Sequence, residues 1–278
     1  CDPGDVVLVP NPGYPVFGMG PQLMGAKVET YPLYAENNFL PDFADIPEKT
    51  AKVAKFMIIS YPANPVCSVA DDSFYEKAIA FAKKYNVILL HDNAYSDIIF
   101  GGKEGKSFLS YKGAMEVGIE FYSLSKSYNM TGMRISFALG NKDVIQMFRK
   151  VRSQIDYGIF LPIQKAAVAA LTGPQDNVKE QCRIYEERNY ALCRGMSSIG
   201  WKIPDGQGTM FVWAPIPENY ISSERFTLDL MEKTGMIVTP GTAFGDLGEG
   251  YVRIALVHPV ETIEKVVRIV KESGILEA

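Results

Sequence analysis

The 278-residue sequence is poor in the side chains that most often hold metals. It has two histidines, His91 and His258, and four cysteines, Cys1, Cys67, Cys182 and Cys193, none at ligand spacing. A metal centre built from them is therefore not expected. No apolar run reaches the length that crosses a bilayer, and the opening residues do not read as a secretory signal. Long basic runs are missing too, and the formal charge is −4. Neither nucleic acid nor an anionic membrane is expected as a partner. Few cysteines without a pairing pattern fit a reducing cytoplasm. What the chain has in quantity is apolar surface: 47% of residues are hydrophobic, ample for one large domain or two smaller ones. No internal repeat or low-complexity segment interrupts it.

Apolar runs alternate with amphipathic stretches. Val6–Val9 reads as a short strand ending at proline. Phe56-Met-Ile-Ile-Ser-Tyr-Pro-Ala-Asn64-Pro65 is a buried strand that ends in an amide. Between Asp71 and Tyr85, Phe74, Ala78, Phe81, Ala82 and Tyr85 share one face, which predicts a helix capped by Asp71 or Asp72. Val87-Ile-Leu-Leu-His-Asp92 is a second buried strand, Ile119–Leu124 a third, and Arg134–Gly140 a fourth. A helix is predicted over 143–155, and Gly173-Pro174 marks a boundary. A long polar helix follows over about 176–199, exceeding most globular helices. The remainder mixes strands (209–214, 236–239, 251–257) with helices near 226–234 and 261–273. The last of these carries an apolar stripe of Ile263, Val266, Val267 and Val270.

Three of the apolar runs deliver polar groups at their C-terminal ends, which is where open parallel α/β sheets place ligands. The richest is Ser123-Leu-Ser-Lys126-Ser-Tyr-Asn-Met-Thr-Gly-Met-Arg134. A lysine at the end of a buried strand is costly unless paired or intended as a nucleophilic amine. Hydroxyls at Ser123 and Ser125 precede it, and Arg134 follows; these suit a phosphate, while a neutral amine suits an aldehyde. Pyridoxal phosphate (PLP) offers both groups, and its pyridine nitrogen needs an acid, for which Asp92 is available. Taken singly, these residues have ordinary explanations. Asp92 could be a strand-end or capping acid, Tyr95 a core tyrosine, Asn64-Pro65 a turn, Arg253 half of a surface ion pair, and Tyr14 a loop aromatic.

In their order and spacing, these motifs resemble the class I/II aminotransferases of PLP fold type I, over essentially the whole chain. The resemblance implies an α/β fold: a three-layer large domain with a mainly parallel sheet, plus a smaller C-terminal α/β domain. The large PLP-binding domain would occupy 1–175, and the interdomain helix and small domain 176–278. Lys126 resembles the Schiff-base lysine that also acts as general acid and base. Asp92 resembles the partner of the pyridine nitrogen, and Asn64 and Tyr95 the pair that bonds the ring's phenolic oxygen. Ser123, Ser125 and Arg134 fall in the phosphate-binding part of the motif. Tyr14, in Asn11-Pro-Gly-Tyr14-Pro, matches the aromatic that packs on the cofactor ring. Arg253, in Tyr251-Val-Arg253, resembles the arginine that clamps the substrate α-carboxylate through a bidentate pair. The implied partners are an amino acid, a 2-oxo acid and a second copy of the chain, with active sites at the subunit interface.

His91-Asp-Asn-Ala-Tyr-Ser and the lysine motif look most like the LL-diaminopimelate aminotransferase branch and its alanine- and aspartate-using relatives. Other chemistries remain open on the same scaffold: a PLP-dependent carbon–sulfur β-lyase, or the effector-sensing domain of a transcription regulator. The chain departs from the family twice. Cys1-Asp-Pro-Gly-Asp5-Val normally occurs well inside such enzymes, so an N-terminal segment is expected before it, including a phosphate-cupping loop. Asn64-Pro-Val-Cys67 stands where Asn-Pro-Thr-Gly is usual, so that turn must manage without glycine. Two echoes are set aside. Gly105-Lys106-Ser107 lacks the first P-loop glycine, since position 100 is Phe100, and reads as a solvated turn. Asn129-Met-Thr131 matches a glycosylation sequon but lies inside the lysine motif.

Overall fold

The computed structural model describes residues 1–277. Its frame is a six-stranded sheet of β1 (Val6–Asn11), β2 (Lys27–Pro32), β3 (Ala54–Ile59), β4 (Ile88–Asn93), β5 (Gly118–Ser123) and β6 (Ser136–Gly140). The strand order is β2-β1-β3-β4-β5-β6. The first five strands run parallel and β6 pairs antiparallel with β5. A parallel pair needs a crossover, and the helix Asp72–Tyr85 supplies the one between β3 and β4. Phe74, Ala78, Phe81 and Ala82 are buried, as the spacing predicts, Tyr75 and Ile79 join them and Tyr85 at the helix end is only half-buried; Asp71 caps the helix by accepting from the Phe74 N–H at 2.8 Å. Because β3, β4 and β5 are parallel, Asn64, Asp92 and Lys126 all emerge at one edge of the sheet.

A second sheet, of order β7-β9-β8, comprises β7 (Phe211–Pro215), β8 (Thr239–Pro240) and β9 (Tyr251–Ala255), all antiparallel. The long helix Asp176–Ser198 and the terminal helix Val260–Glu272 pack beside it. Tyr185, Leu192, Met196, Trp201, Phe226 and Ile263 contribute to one buried cluster there. The large sheet domain and the smaller C-terminal domain are those of fold type I. Among the described residues, no helix is long and apolar enough to cross a membrane.

Several element boundaries differ from expectation. β1 does not stop at Pro10 but continues to Asn11, with Pro10 opposite Tyr31 of β2. Its pairing with β3 has already ended at Leu8–Met57, so the missing Pro10 N–H leaves no β3 partner bare. The strand expected over 236–239 shrinks to Thr239–Pro240, because Gly235 ends the preceding helix at φ +74° and the chain must first cross to β9. The strand expected from Arg134 begins at Ser136, since Arg134 itself caps a turn at φ +51°. The helix expected over 143–155 spans Lys142–Arg152, capped by Asn141 Oδ1. A helix at Leu161–Thr172 was not foreseen; only Ala167 on it is buried, so no apolar stripe announces it.

Candidate active site

Strand alternation sorts the residues of β4 between two environments. Leu89, His91 and Asn93 are buried on the face toward helix Asp72–Tyr85, and Asp92 turns to the other face. Beyond β5 the chain closes into one helical turn, Leu124–Ser127, which presents Lys126. Ser123 starts that turn by accepting the Ser125 N–H at 3.1 Å. The following loop is stitched to the turn: Thr131 Oγ1 donates to the Ser125 carbonyl at 2.8 Å, and Arg134 Nη1 to the Thr131 carbonyl at 2.9 Å. Asp97 holds it from behind, accepting from Tyr122 Oη at 2.7 Å and Ser127 Oγ at 2.5 Å. Gln181, on the long helix, donates to the Lys126 carbonyl.

These elements enclose a cavity of about 540 Å³, of the size that holds a small cofactor. All nine residues singled out in the sequence line it: Tyr14, Asn64, Asp92, Tyr95, Ser123, Ser125, Lys126, Arg134 and Arg253. Sequence reasoning missed Phe17, Ser60, Tyr122, Thr131, Met210 and Phe211, which line it too. Thr131 was within reach, as a hydroxyl inside the lysine motif. Phe211 was not, because it arrives from the second sheet, 85 residues after Lys126. A larger cavity of about 630 Å³ lies beyond the Ser127–Met130 turn and contains none of the nine.

Arg253 projects from β9. Its guanidinium lies 4.2 Å from the Phe211 ring centre and 4.7 Å from that of Phe244. Nη1 donates to Asn64 Oδ1 at 2.9 Å, while Nε is buried with no partner. Burial lowers the arginine's pKa from its ordinary value. Burial raises that of Asp92, opposed by the charges of His91 and Lys126. Burial also raises Tyr95, helped by Asp92 and opposed by Arg253. Tyr95 packs edge-on to Phe211, and Tyr14 edge-on to Phe17.

The turn after Asn64-Pro65 does manage without glycine. Cys67 takes up φ +58°, a left-handed conformation that costs a non-glycine residue roughly 1–2 kcal/mol. Its thiol donates to the Pro65 carbonyl at 3.1 Å and accepts from Thr209 Oγ1 at 3.3 Å. Burial pushes the Cys67 pKa up to about 12, so it stays a thiol. Gly105-Lys106-Ser107 is solvated, as expected, but it is irregular backbone rather than a turn: the turn falls at Gly101-Gly102, Ser107 caps the short helix Phe108–Ser110, and Lys106 pairs with Asp72 on the surface.

The cavity fits PLP on the chemistry of its groups. It offers an amine with no ion-pair partner among the described residues and a half-buried acid on the adjacent strand. Two hydroxyls and a guanidinium line it for an anion, and an orphaned guanidinium N–H awaits an acceptor. Sheet order, strand-end ligands and this donor set define a PLP enzyme of fold type I. The model of the aminotransferase class I and II family matches residues 1–270, and the chain belongs to that family.

It is 46% identical to the LL-diaminopimelate aminotransferase of Halothermothrix orenii over 274 residues, 99% of this chain and 70% of that protein. The Dehalococcoides mccartyi enzyme of the same name is 48% identical over 264 residues, 95% of this chain and 68% of its own length. Among solved structures, substrate-bound BacF from Bacillus subtilis superimposes with a TM-score of 0.94 at 40% identity, covering 98% of this chain and 69% of that one. A probable N-succinyldiaminopimelate aminotransferase from Thermus thermophilus gives a TM-score of 0.92 at 33% identity, covering 98% and 73%. The chain is a PLP-dependent aminotransferase.

Proposed function

We propose that this aminotransferase takes LL-diaminopimelate as amino donor and passes the amino group to a 2-oxo acid. The convergence of all nine sequence-predicted residues on one cavity carries the assignment of the site. The donor is favoured by the relatives of that name, at 46–48% identity, over an alanine aminotransferase from Pyrococcus furiosus at 26%.

PLP, when bound, supplies an electron-withdrawing ring that stabilises negative charge at the amino acid α-carbon. The side chains then have separable tasks. Lys126 Nζ anchors the cofactor aldehyde and afterwards moves the proton taken from the α-carbon. The Asp92 carboxylate holds a proton on the pyridine nitrogen. Asn64 Oδ1 is occupied by Arg253, which leaves Nδ2 to donate, beside the Tyr95 hydroxyl, to the ring's phenolic oxygen. Ser123, Ser125 and Arg134 take the phosphate, and Tyr14 covers the ring. Arg253, already held over the Phe211 and Phe244 rings, turns its remaining N–H groups to the α-carboxylate. We further propose a large domain over 1–175, an interdomain helix and small domain over 176–278, a cytoplasmic setting and a homodimer with active sites at the subunit interface.

The purified protein with PLP should convert 2-oxoglutarate to glutamate faster with LL-diaminopimelate than with aspartate or alanine. A preference for either of those donors would refute the substrate assignment. Ammonia and keto acid released without an acceptor would instead mark a β-lyase.

A further inference from the structure

Beyond the last ladder pair of β4 and β5, Asn93 with Tyr122, each strand runs on into a segment that serves the cavity. The β4 side carries Tyr95 and then Asp97; the β5 side carries Ser123, Ser125 and Lys126. The Asp97 carboxylate ties the two segments together. Its Oδ2 accepts from Ser127 Oγ at 2.5 Å and from Tyr122 Oη at 2.7 Å, so one oxygen holds a residue before the lysine turn and the residue that ends it. Ser127 is buried, and burial together with the Asp97 bond raises the Tyr122 pKa, so the phenol keeps the proton it donates. Asp97 does not line the cofactor cavity; it lines a separate one against the long helix, and Ser127 lines the cavity beyond the turn. A single helical turn has little stability of its own, because nucleation fixes several dihedrals for one hydrogen bond. Leu124–Ser127 therefore depends on its side-chain ties: Asp97 at Ser127, Thr131 at the Ser125 carbonyl and Gln181 at the Lys126 carbonyl.

We propose that Asp97 is a positioning residue for Lys126: by holding Tyr122 and Ser127 through one oxygen, it fixes the lysine turn against the segment that carries Asp92 and Tyr95, and so sets where the Lys126 amine stands. The proposal rests on the reading of Lys126 as the cofactor lysine. That reading gives the amine two tasks at two different atoms, anchoring the cofactor aldehyde and moving the proton of the α-carbon. Both tasks start from one backbone position, and a misplacement of about 1 Å can cost roughly a hundredfold in rate. The proposed carboxylate clamp, Arg253, lies on β9 and has no bond to this network. Asp97 therefore bears on kcat rather than on KM.

The test compares wild type with Asp97→Ala, Asp97→Asn and Ser127→Ala. Tyr128 and Met130 both donate their N–H groups to the Leu124 carbonyl, so their amide hydrogen exchange reports on the turn. In the apo-protein that exchange should quicken in both alanine variants, while the β4 and β5 amides exchange as in wild type. Turnover is measured at saturating PLP with whichever of LL-diaminopimelate, aspartate and alanine serves best as donor. In Asp97→Ala kcat should fall by roughly tenfold or more, and KM should stay within about twofold. Deuterium at the donor α-carbon should then show its full effect on kcat, because proton transfer has become the slow step. Asp97→Asn should recover most of the rate, since a carbonyl oxygen in the same place accepts both hydroxyls. Ser127→Ala keeps the Tyr122 bond and should show the same pattern more weakly, which guards against an Asp97→Ala chain that does not fold. Any of four results overturns the proposal: kcat unchanged in both alanine variants, KM rising as far as kcat falls, no deuterium effect, or exchange that quickens throughout the sheet. Lys126→Ala separates the two ideas. If borohydride still fixes PLP to that variant, the reading of Lys126 fails; if the label needs Lys126 but the Asp97 pattern is missing, only the positioning role does.

Discussion

Replacing Arg253 with lysine keeps a positive charge on β9 and removes its shape. The guanidinium lies over the Phe211 and Phe244 rings, is bonded to Asn64 through Nη1, and is left with a buried, unpartnered Nε–H. An ammonium cannot fill that slot as a plane, nor offer two parallel N–H groups to a carboxylate. Losing one hydrogen bond to a charged group costs about 1.5–3 kcal/mol. At about 1.36 kcal/mol per factor of ten, kcat/KM for the preferred amino acid should fall roughly tenfold to a hundredfold. The lost ring contacts, about 0.5–2 kcal/mol, bear on stability and should appear as a lower melting temperature. Steady-state kinetics with amino donors and a PLP titration by absorbance measure the two effects apart. PLP affinity should change little, because the arginine is assigned to substrate. An Arg253→Lys enzyme that matches wild type on its best amino acid would place the clamp elsewhere. One that loses PLP affinity as steeply as kcat/KM would assign Arg253 to the cofactor.

Lys126→Ala should fold normally, since the ammonium it removes has no ion-pair partner among the described residues, yet borohydride should no longer fix PLP to the chain and turnover should drop by at least about 10²–10⁴-fold; a label persisting on another lysine would contradict the assignment. Asp92 titrates above its ordinary 3.8 in the folded chain, chiefly through burial. The folded state thus binds this proton more tightly than the unfolded one, and the stability it contributes is complete below 3.8 and lost as pH rises through the folded value. Apo Asp92→Asn should therefore melt higher than apo wild type at neutral pH, with the gap closing in acid; equal melting at neutral pH would show that burial of the charge carries no penalty. Cys67→Ala keeps the left-handed backbone and loses the thiol contacts, whereas Cys67→Gly also relieves the backbone, so chemical denaturation should find the glycine variant less destabilised by about 1 kcal/mol; the reverse order would mean that the turn is not strained.

Much of the site was legible because each half of it is local. Asp92 and Tyr95 are three residues apart at one strand end, and Ser123, Ser125, Lys126 and Arg134 lie within twelve residues at another. Period-2 burial and a polar strand terminus are properties of short segments, and they survive folding unchanged. Helix Asp72–Tyr85 was equally legible, from its cap and its apolar face. The helix Leu161–Thr172 was not, because it buries little and shows no stripe. The strand expected over 236–239 failed for the opposite reason: a local apolar run became a strand only where β9 arrived to pair with it.

What the amino-acid sequence determined by itself was chemistry in short range: which strand ends carry an amine, an acid, an amide and hydroxyls, and hence that PLP is the group they suit. Tertiary structure decided everything that depends on distant segments meeting. It set Arg253 of β9 against Asn64, 189 residues away, and brought it over the rings of Phe211 and Phe244. It also put Glu120 opposite His91 behind Asp92, through a strand register that neither segment contains alone. Local patterns report backbone conformation and burial, but the charge state of a buried group depends on what packs against it, and only the folded chain supplies that.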